Sequence, residues 1–255
     1  MEELYTTWKA IGVAGGDLSF FQDFFVKFYQ AFIEGDRWLQ YLNGVKTTLL
    51  VTALALIPGI VLGVLVAMLR TAHDQQRPGH RNPILAVLNL ICKVYVTVIR
   101  GTPMMVQLLI MGFVIFASSR NFTMIGTLTL GINSGAYVSE IVRGGLMSVD
   151  KGQMEAGRSL GLNYMTTMRF IVIPQAVKAI LPALGNEFII LLKDTSLITV
   201  IGGKELLYAA QGIYNRTYEQ MFPLIGTAAL YLVLVIILSW LLGKLERRLR
   251  QSDRR

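Results

Sequence analysis

One stretch decides which folds are open to this chain. Between Lys46 and Arg70 no charged residue occurs, and residues 45–69 are apolar almost throughout. A helix of that length, rising about 1.5 Å per residue, exceeds the roughly 30 Å hydrocarbon core of a bilayer. Pro58 predicts a kink in it, and Gly59 with Gly63 offers a small-residue face for a second helix. Residues 83–117, 124–144, 178–201 and 221–242 form four further apolar regions. The expected fold is therefore an all-α integral membrane protein with five transmembrane helices. A composition that is 53% hydrophobic, with mean hydropathy +0.52, belongs to that class. The net charge of +8 does not call for nucleic acid, because Lys244, Arg247, Arg248, Arg250, Arg254 and Arg255 crowd the C-terminal end. A basic tail, residues 249–255, suits a cytoplasmic surface against anionic lipid.

Polar residues inside the spans are the candidate working parts, since an ionised group at such depth needs water or a counter-charge. The second region breaks at Arg100-Gly101-Thr102-Pro103, which predicts one long or broken helix, and Lys93 and Arg100 share a face seven residues apart. In the third, Asn133, Tyr137 and Glu140 form one helical stripe, readable as a hydrogen-bonded seam with Glu140 paired to Arg143. In the fourth, Glu187 and Asp194 lie seven apart and face the same way. Asp194 beside Lys193 and Thr195 is equally readable as structural. His73 and His80 stand in a polar loop and make no metal site, and Cys92 reads as a small buried hydrophobe.

Residues 155–176, EAGRSLGLNYMTTMRFIVIPQA, are polar and basic for most of their length, between two spans. Ala156, Leu160, Tyr164 (or Asn163) and Thr167 recur at helical spacing, Gly157 and Gly161 leave bare patches, and Pro174 is expected to stop the pattern. Such a helix fits docking into a partner's groove, or alternatively lying on the headgroups. The N-terminal residues 1–44 carry phenylalanines at helical spacing among charges, as an amphipathic interfacial segment does, and do not resemble a cleavable signal sequence. With the C-terminus inside, segments 70–83, 143–169 and 244–255 hold thirteen Lys or Arg, against seven in segments 1–46, 118–124 and 202–221. That bias places the N-terminus outside and residues 155–176 in the cytoplasm. Residues 202–220 read as a polar connection. No Walker A string occurs, Gly202-Gly203-Lys204 being followed by Glu205, and no HExxH is present.

Glu155-Ala156-Gly157, then Gly161, then Ile173-Pro174 resembles the EAA loop of binding-protein-dependent ABC importer permeases. Gly157 stands where the commonest form has alanine, a departure also usual in the polar amino acid branch. VIRGTPMMVQLL, INSGAYVSEIVRG and GNEFIILLKDTSL are similar to strings of that same branch, and the resemblance covers residues 45–248. It implies a type I ABC importer transmembrane domain in a bacterial inner membrane, not an enzyme and without a cofactor of its own. ATP and Mg would be bound by a separate ATP-binding subunit, docked on a coupling helix in loop 150–174 through Glu155, Ala156, Gly157, Leu160 and Gly161. An extracytoplasmic solute-binding protein and a second permease, identical or homologous, would complete the assembly. Arg100, Gly101, Thr102, Pro103 and Pro174 would be structural or gating positions. Glu187 and Asp194, with Asn133 and Ser134, are the candidate contacts for an amino acid moved by alternating access. Two acids favour a cationic or neutral substrate over an acidic one. The alternative is an ion-coupled secondary transporter or a channel subunit.

Overall fold

A computed structural model describes residues 1–76 and 82–251, and among these all regular structure is helical. Arg77, His80 and Arg81 of the loop, and Arg254 and Arg255 of the tail, lie outside the described residues. Helices α1 (Glu2–Val13) and α2 (Phe20–Phe32) pack on each other through Tyr5 and Tyr29, whose rings stack 4.3 Å apart. Ser19 and Gln22 form a capping box that fixes where α2 begins. Phe24 and Phe28 then meet Phe222 edge-on, joining this hairpin to the start of the last span.

Helix α3 (Arg37–Asp74) extends beyond the uncharged run at both ends. Arg70, the first charge after the apolar run, lies inside the helix, with its guanidinium on Glu140. Helix α4 (Pro83–Gly101) starts where Asn82 accepts from the amides of Ile84 and Leu85, Pro83 filling the first turn, where no amide partner is needed. The predicted break follows: Thr102 and Pro103 are extended, α5 (Met104–Ile110) resumes, and a π turn (Met111–Ile115) completes the region.

Helix α6 (Phe122–Met147) is the centre of the bundle, packed against α3, α4 and α9 (Ile173–Asp194). Small residues allow this. A Cβ on Gly63 would lie 2.6 Å from the Val138 Cβ, and one on Gly59 3.1 Å from that of Ser134. The expected small-residue face of α3 is therefore its seam with α6. Four helical runs, Glu34–Asp74, Pro83–Gly101, Tyr164–Ile201 and Met221–Leu249, are long and apolar enough to cross a membrane unaided. Helix α6 is more polar, and its neighbours cover Thr129, Ser134 and Ser139. Enclosed helices tolerate such residues because protein, not lipid, surrounds them.

Two sequence expectations need correction here. Pro174 does not stop the helix: α8 (Tyr164–Thr167), a π turn (Met168–Val172), α9 and a 3-10 turn (Thr195–Ile201) run on continuously. Proline at the second position of α9 has no amide to donate, and the wider π turn before it absorbs the missing bond. Residues 202–220 are not merely a connection. They contain α10 (Leu206–Thr217), which buries Leu206, Ala210 and Ile213 against α3 and α11 (Met221–Gln251).

Glu205 anchors α10. It is 2% exposed and accepts from the Tyr208 amide at 3.0 Å, the Thr48 hydroxyl at 3.2 Å and the Tyr231 hydroxyl. Burial pushes its carboxyl above the usual range, against hydrogen bonds that lower it. Glu205→Ala leaves three donors without a partner and is expected to destabilise by about 3 kcal/mol. Glu205→Gln keeps an acceptor for the amide and is expected to melt close to wild type in detergent. Equal melting temperatures for alanine and wild type would refute the anchoring role.

Candidate functional site

A cavity of about 390 Å³ opens between α4, α6 and α9, lined by Arg100, Tyr137, Glu140, Asn186 and Glu187 among others. Arg100 is the penultimate residue of α4, just before the chain breaks, and its guanidinium lies 5.2 Å from the centre of the Tyr137 ring. Glu187 comes from the middle of α9, is 5% exposed, and accepts from the Ser134 hydroxyl at 2.8 Å. The α4 wall thus carries a guanidinium and the α9 wall a carboxylate and the Asn186 amide, while Glu140 on α6 is engaged by Arg70. An ammonium and a carboxylate on one small molecule would each find an opposite charge here.

The sequence candidates are only partly gathered. Glu187 lines the cavity and Ser134 holds it from behind. Asn133 points its amide at Gln107, at 2.9 Å, and Asp194 lies two turns along α9, near its end. Neither is part of the cavity wall. Glu140 is not paired with Arg143, as the stripe on α6 suggested. It reaches across to Arg70 on α3, while Arg143 lies 3.4 Å from Asp74. Pairing one turn apart on a helix was outcompeted by oppositely charged groups on the packed neighbour, Arg70 for Glu140 and Asp74 for Arg143, an outcome that spacing within one helix does not encode. Gln107, buried in α5, escaped notice, although its place four residues after Pro103 was a usable signal.

Between α6 and α9, α7 (Lys151–Ser159) is capped by Asp150, whose carboxylate accepts from the Gly152 amide at 2.6 Å. The single face expected from Ala156 to Thr167 is split, because α7 ends at Leu160 and Asn163 caps α8 afresh. Gly161 makes this turn: its φ of +81° is left-handed, and the amides of Gly161 and Leu162 return to Arg158 and Gly157. Gly157 permits a close approach, but within the chain. A Cβ there would stand 2.6 Å from Thr167 Cγ2. Glu155 and Ala156 are exposed, and Leu160 is 80% exposed at the turn. Tyr164 on α8 hydrogen-bonds Gln75 at the end of α3, so this loop is tied directly to a span. Arg158, Glu155 and Tyr164 overhang a second cavity of about 750 Å³.

Among the described residues no three His, Cys, Asp or Glu side chains converge as metal ligands, and His73 is hydrogen-bonded to Asn89 at 3.0 Å.

A family model described as "Binding-protein-dependent transport system inner membrane component" matches residues 83–251. The glutamine transport system permease protein GlnP of Escherichia coli (strain K12) is 37% identical over 216 residues, spanning 82% of this chain and 92% of that protein. A putative glutamine transport system permease protein GlnP of Rickettsia bellii is 36% identical over 210 residues, 81% of this chain and 91% of its own length. Among solved structures, an amino acid ABC transporter crystallised with histidines superposes with a TM-score of 0.74 at 40% identity, over 82% of this chain and 94% of the other. An inward-facing form of the MetNI methionine ABC transporter gives 0.70 over 85% of this chain and 99% of its own, and at 20% identity it bears on the fold alone.

Proposed function

The chain belongs to the family of binding-protein-dependent transport system inner membrane components, and from that premise we propose that it carries a polar amino acid, cationic or neutral rather than acidic, into the cytoplasm by alternating access. One observation carries the reading: Arg100 and Glu187 line the same cavity. A free amino acid offers a carboxylate to the first and an ammonium to the second. Asp194, further along the Glu187 face, adds negative charge beyond the cavity and disfavours an acidic side chain.

The motor is a separate ATP-binding subunit, with ATP and Mg on that partner, and an extracytoplasmic solute-binding protein delivers the substrate. A second permease, identical or homologous, provides the other half of the pathway. Exposed Leu160 and Met165 on a largely polar inner loop, with Glu155 and Ala156 on the helix before them, support docking of the ATPase there. The Tyr164–Gln75 bond offers a route by which a displaced loop pulls α3. Residues 1–44 lie at the outer membrane surface in this reading, Phe20 and Phe21 facing the lipid boundary from a hairpin joined to α11. At the opposite end of α11, Lys244 sits 3.6 Å from the centre of the Trp240 ring, a pairing suited to the inner headgroup region.

The test is competition for ATP-driven uptake of labelled glutamine in proteoliposomes holding the whole assembly. Neutral and cationic amino acids should compete and glutamate should not. Strong preference for glutamate would sink the charge argument, and full uptake without ATPase or binding protein would sink the coupling.

A further inference from the structure

The bond at the α4–α5 elbow that proline cannot make is made by a side chain. In an unbroken helix the Ile99 carbonyl would receive the amide of residue 103, but Pro103 has none. Gln107 donates to that carbonyl at 2.7 Å, to the Thr102 carbonyl at 3.1 Å and to the Thr102 hydroxyl at 2.8 Å. The Thr102 hydroxyl in turn donates to the Val98 carbonyl at 2.8 Å, leaving its lone pairs for Gln107. Two of Gln107's three partners are carbonyls, which only accept, so the amide nitrogen must face the elbow and the amide oxygen must face away. That oxygen accepts from Asn133 on α6 at 2.9 Å. The side chain is therefore a strut with both ends bonded, running from the elbow to the central helix and buried along its length.

We propose that Gln107 is a positioning residue for substrate recognition, setting where Arg100 stands in the cavity opposite Glu187. The inference rests on the reading of that cavity as the amino acid site. Arg100 directly follows Ile99, whose carbonyl Gln107 holds, and precedes the break by one residue. Its backbone has no continuing helix to fix it, so the strut to Asn133 does so. A guanidinium displaced by about 1 Å loses the alignment that a carboxylate demands.

The experiment uses permease and ATPase together in nanodiscs, without the binding protein. It measures equilibrium binding of radiolabelled L-glutamine and competition by glutamine α-amide, which lacks the α-carboxylate. Wild type should favour glutamine over the α-amide, and Arg100→Ala should erase that preference. Gln107→Met should weaken glutamine binding about tenfold while changing α-amide binding little, a loss typical of a mispositioned charged hydrogen bond. Asn133→Ala leaves the elbow carbonyls bonded to Gln107 and cuts only the tether, so it should shift preference in the same direction. The double variant should be no worse than Gln107→Met, since both act through one strut.

If Arg100→Ala loses the preference while Gln107→Met and Asn133→Ala keep it, the positioning role is overturned and the cavity stands. Additive losses in the double variant would also overturn it. If Gln107→Met does not fold, Asn133→Ala decides alone. Absence of saturable wild-type binding, or an unaffected Arg100→Ala, overturns the cavity reading itself.

Discussion

Gly63→Leu is expected to abolish recovery of folded protein. The Cβ alone would press to 2.6 Å from both Val138 Cβ and Cγ1 and to 2.9 Å from the Gly135 carbonyl. Neither helix can retreat, because α6 is held on its other side by α9 and in the same seam by Gly59 against Ser134. Overpacking typically costs about 1–3 kcal/mol, and a rigid obstruction with the rest of a leucine behind the Cβ puts this site at the upper end or beyond. In membranes, where apolar attraction between helices is weak, close packing of small residues is a main source of association. The measurement is the monodisperse fraction in detergent after membrane extraction. Gly243→Ala on α11 is the control, since its Cβ meets nothing within 4 Å and alanine favours the helix. A stable, monodisperse Gly63→Leu permease would show that the α3–α6 seam is not close-packed in the way described.

The second large effect is expected at the cavity. Glu187→Gln keeps an oxygen to accept from Ser134, so the fold should survive. What it removes is the negative charge that the proposed reading sets against the substrate's ammonium. A charge-assisted hydrogen bond contributes about 1.5–3 kcal/mol, which is about 10- to 150-fold in affinity. Uptake should fall accordingly while extraction and melting remain near wild type. If glutamate is disfavoured as proposed, the same variant should lose part of that discrimination, because a repelling charge has gone. Unaltered uptake and selectivity in Glu187→Gln would remove Glu187 from the substrate path.

The elements that sequence pattern read well share one property: their determinants are local. The uncharged run before Arg70, the start of α4 at Asn82-Pro83 and the break at Thr102-Pro103 each follow from neighbouring residues and the shape of the peptide unit. The misreadings involve the opposite case. Pro174 promised a stop, but a π turn upstream rescued the helix. Glu205 looked like a loop charge, yet its partners, Thr48 and Tyr231, are far away in the chain. Gly157 and Gly161 looked alike as bare patches. One is packed beneath Thr167 and the other is open with a left-handed backbone, a difference that only the fold around them creates.

Sequence by itself determined that this chain enters a membrane and which of its apolar stretches carry charged residues, because transfer into lipid penalises each charged residue and each unpaired amide wherever it occurs. Tertiary structure alone decided which polar and charged groups meet. Glu140 found Arg70, Asn133 found Gln107, and Arg100 came to share a cavity with Glu187. The physical reason is range. Hydrophobicity and backbone sterics act on a residue and its near neighbours, whereas an ion pair between helices depends on how their surfaces interlock.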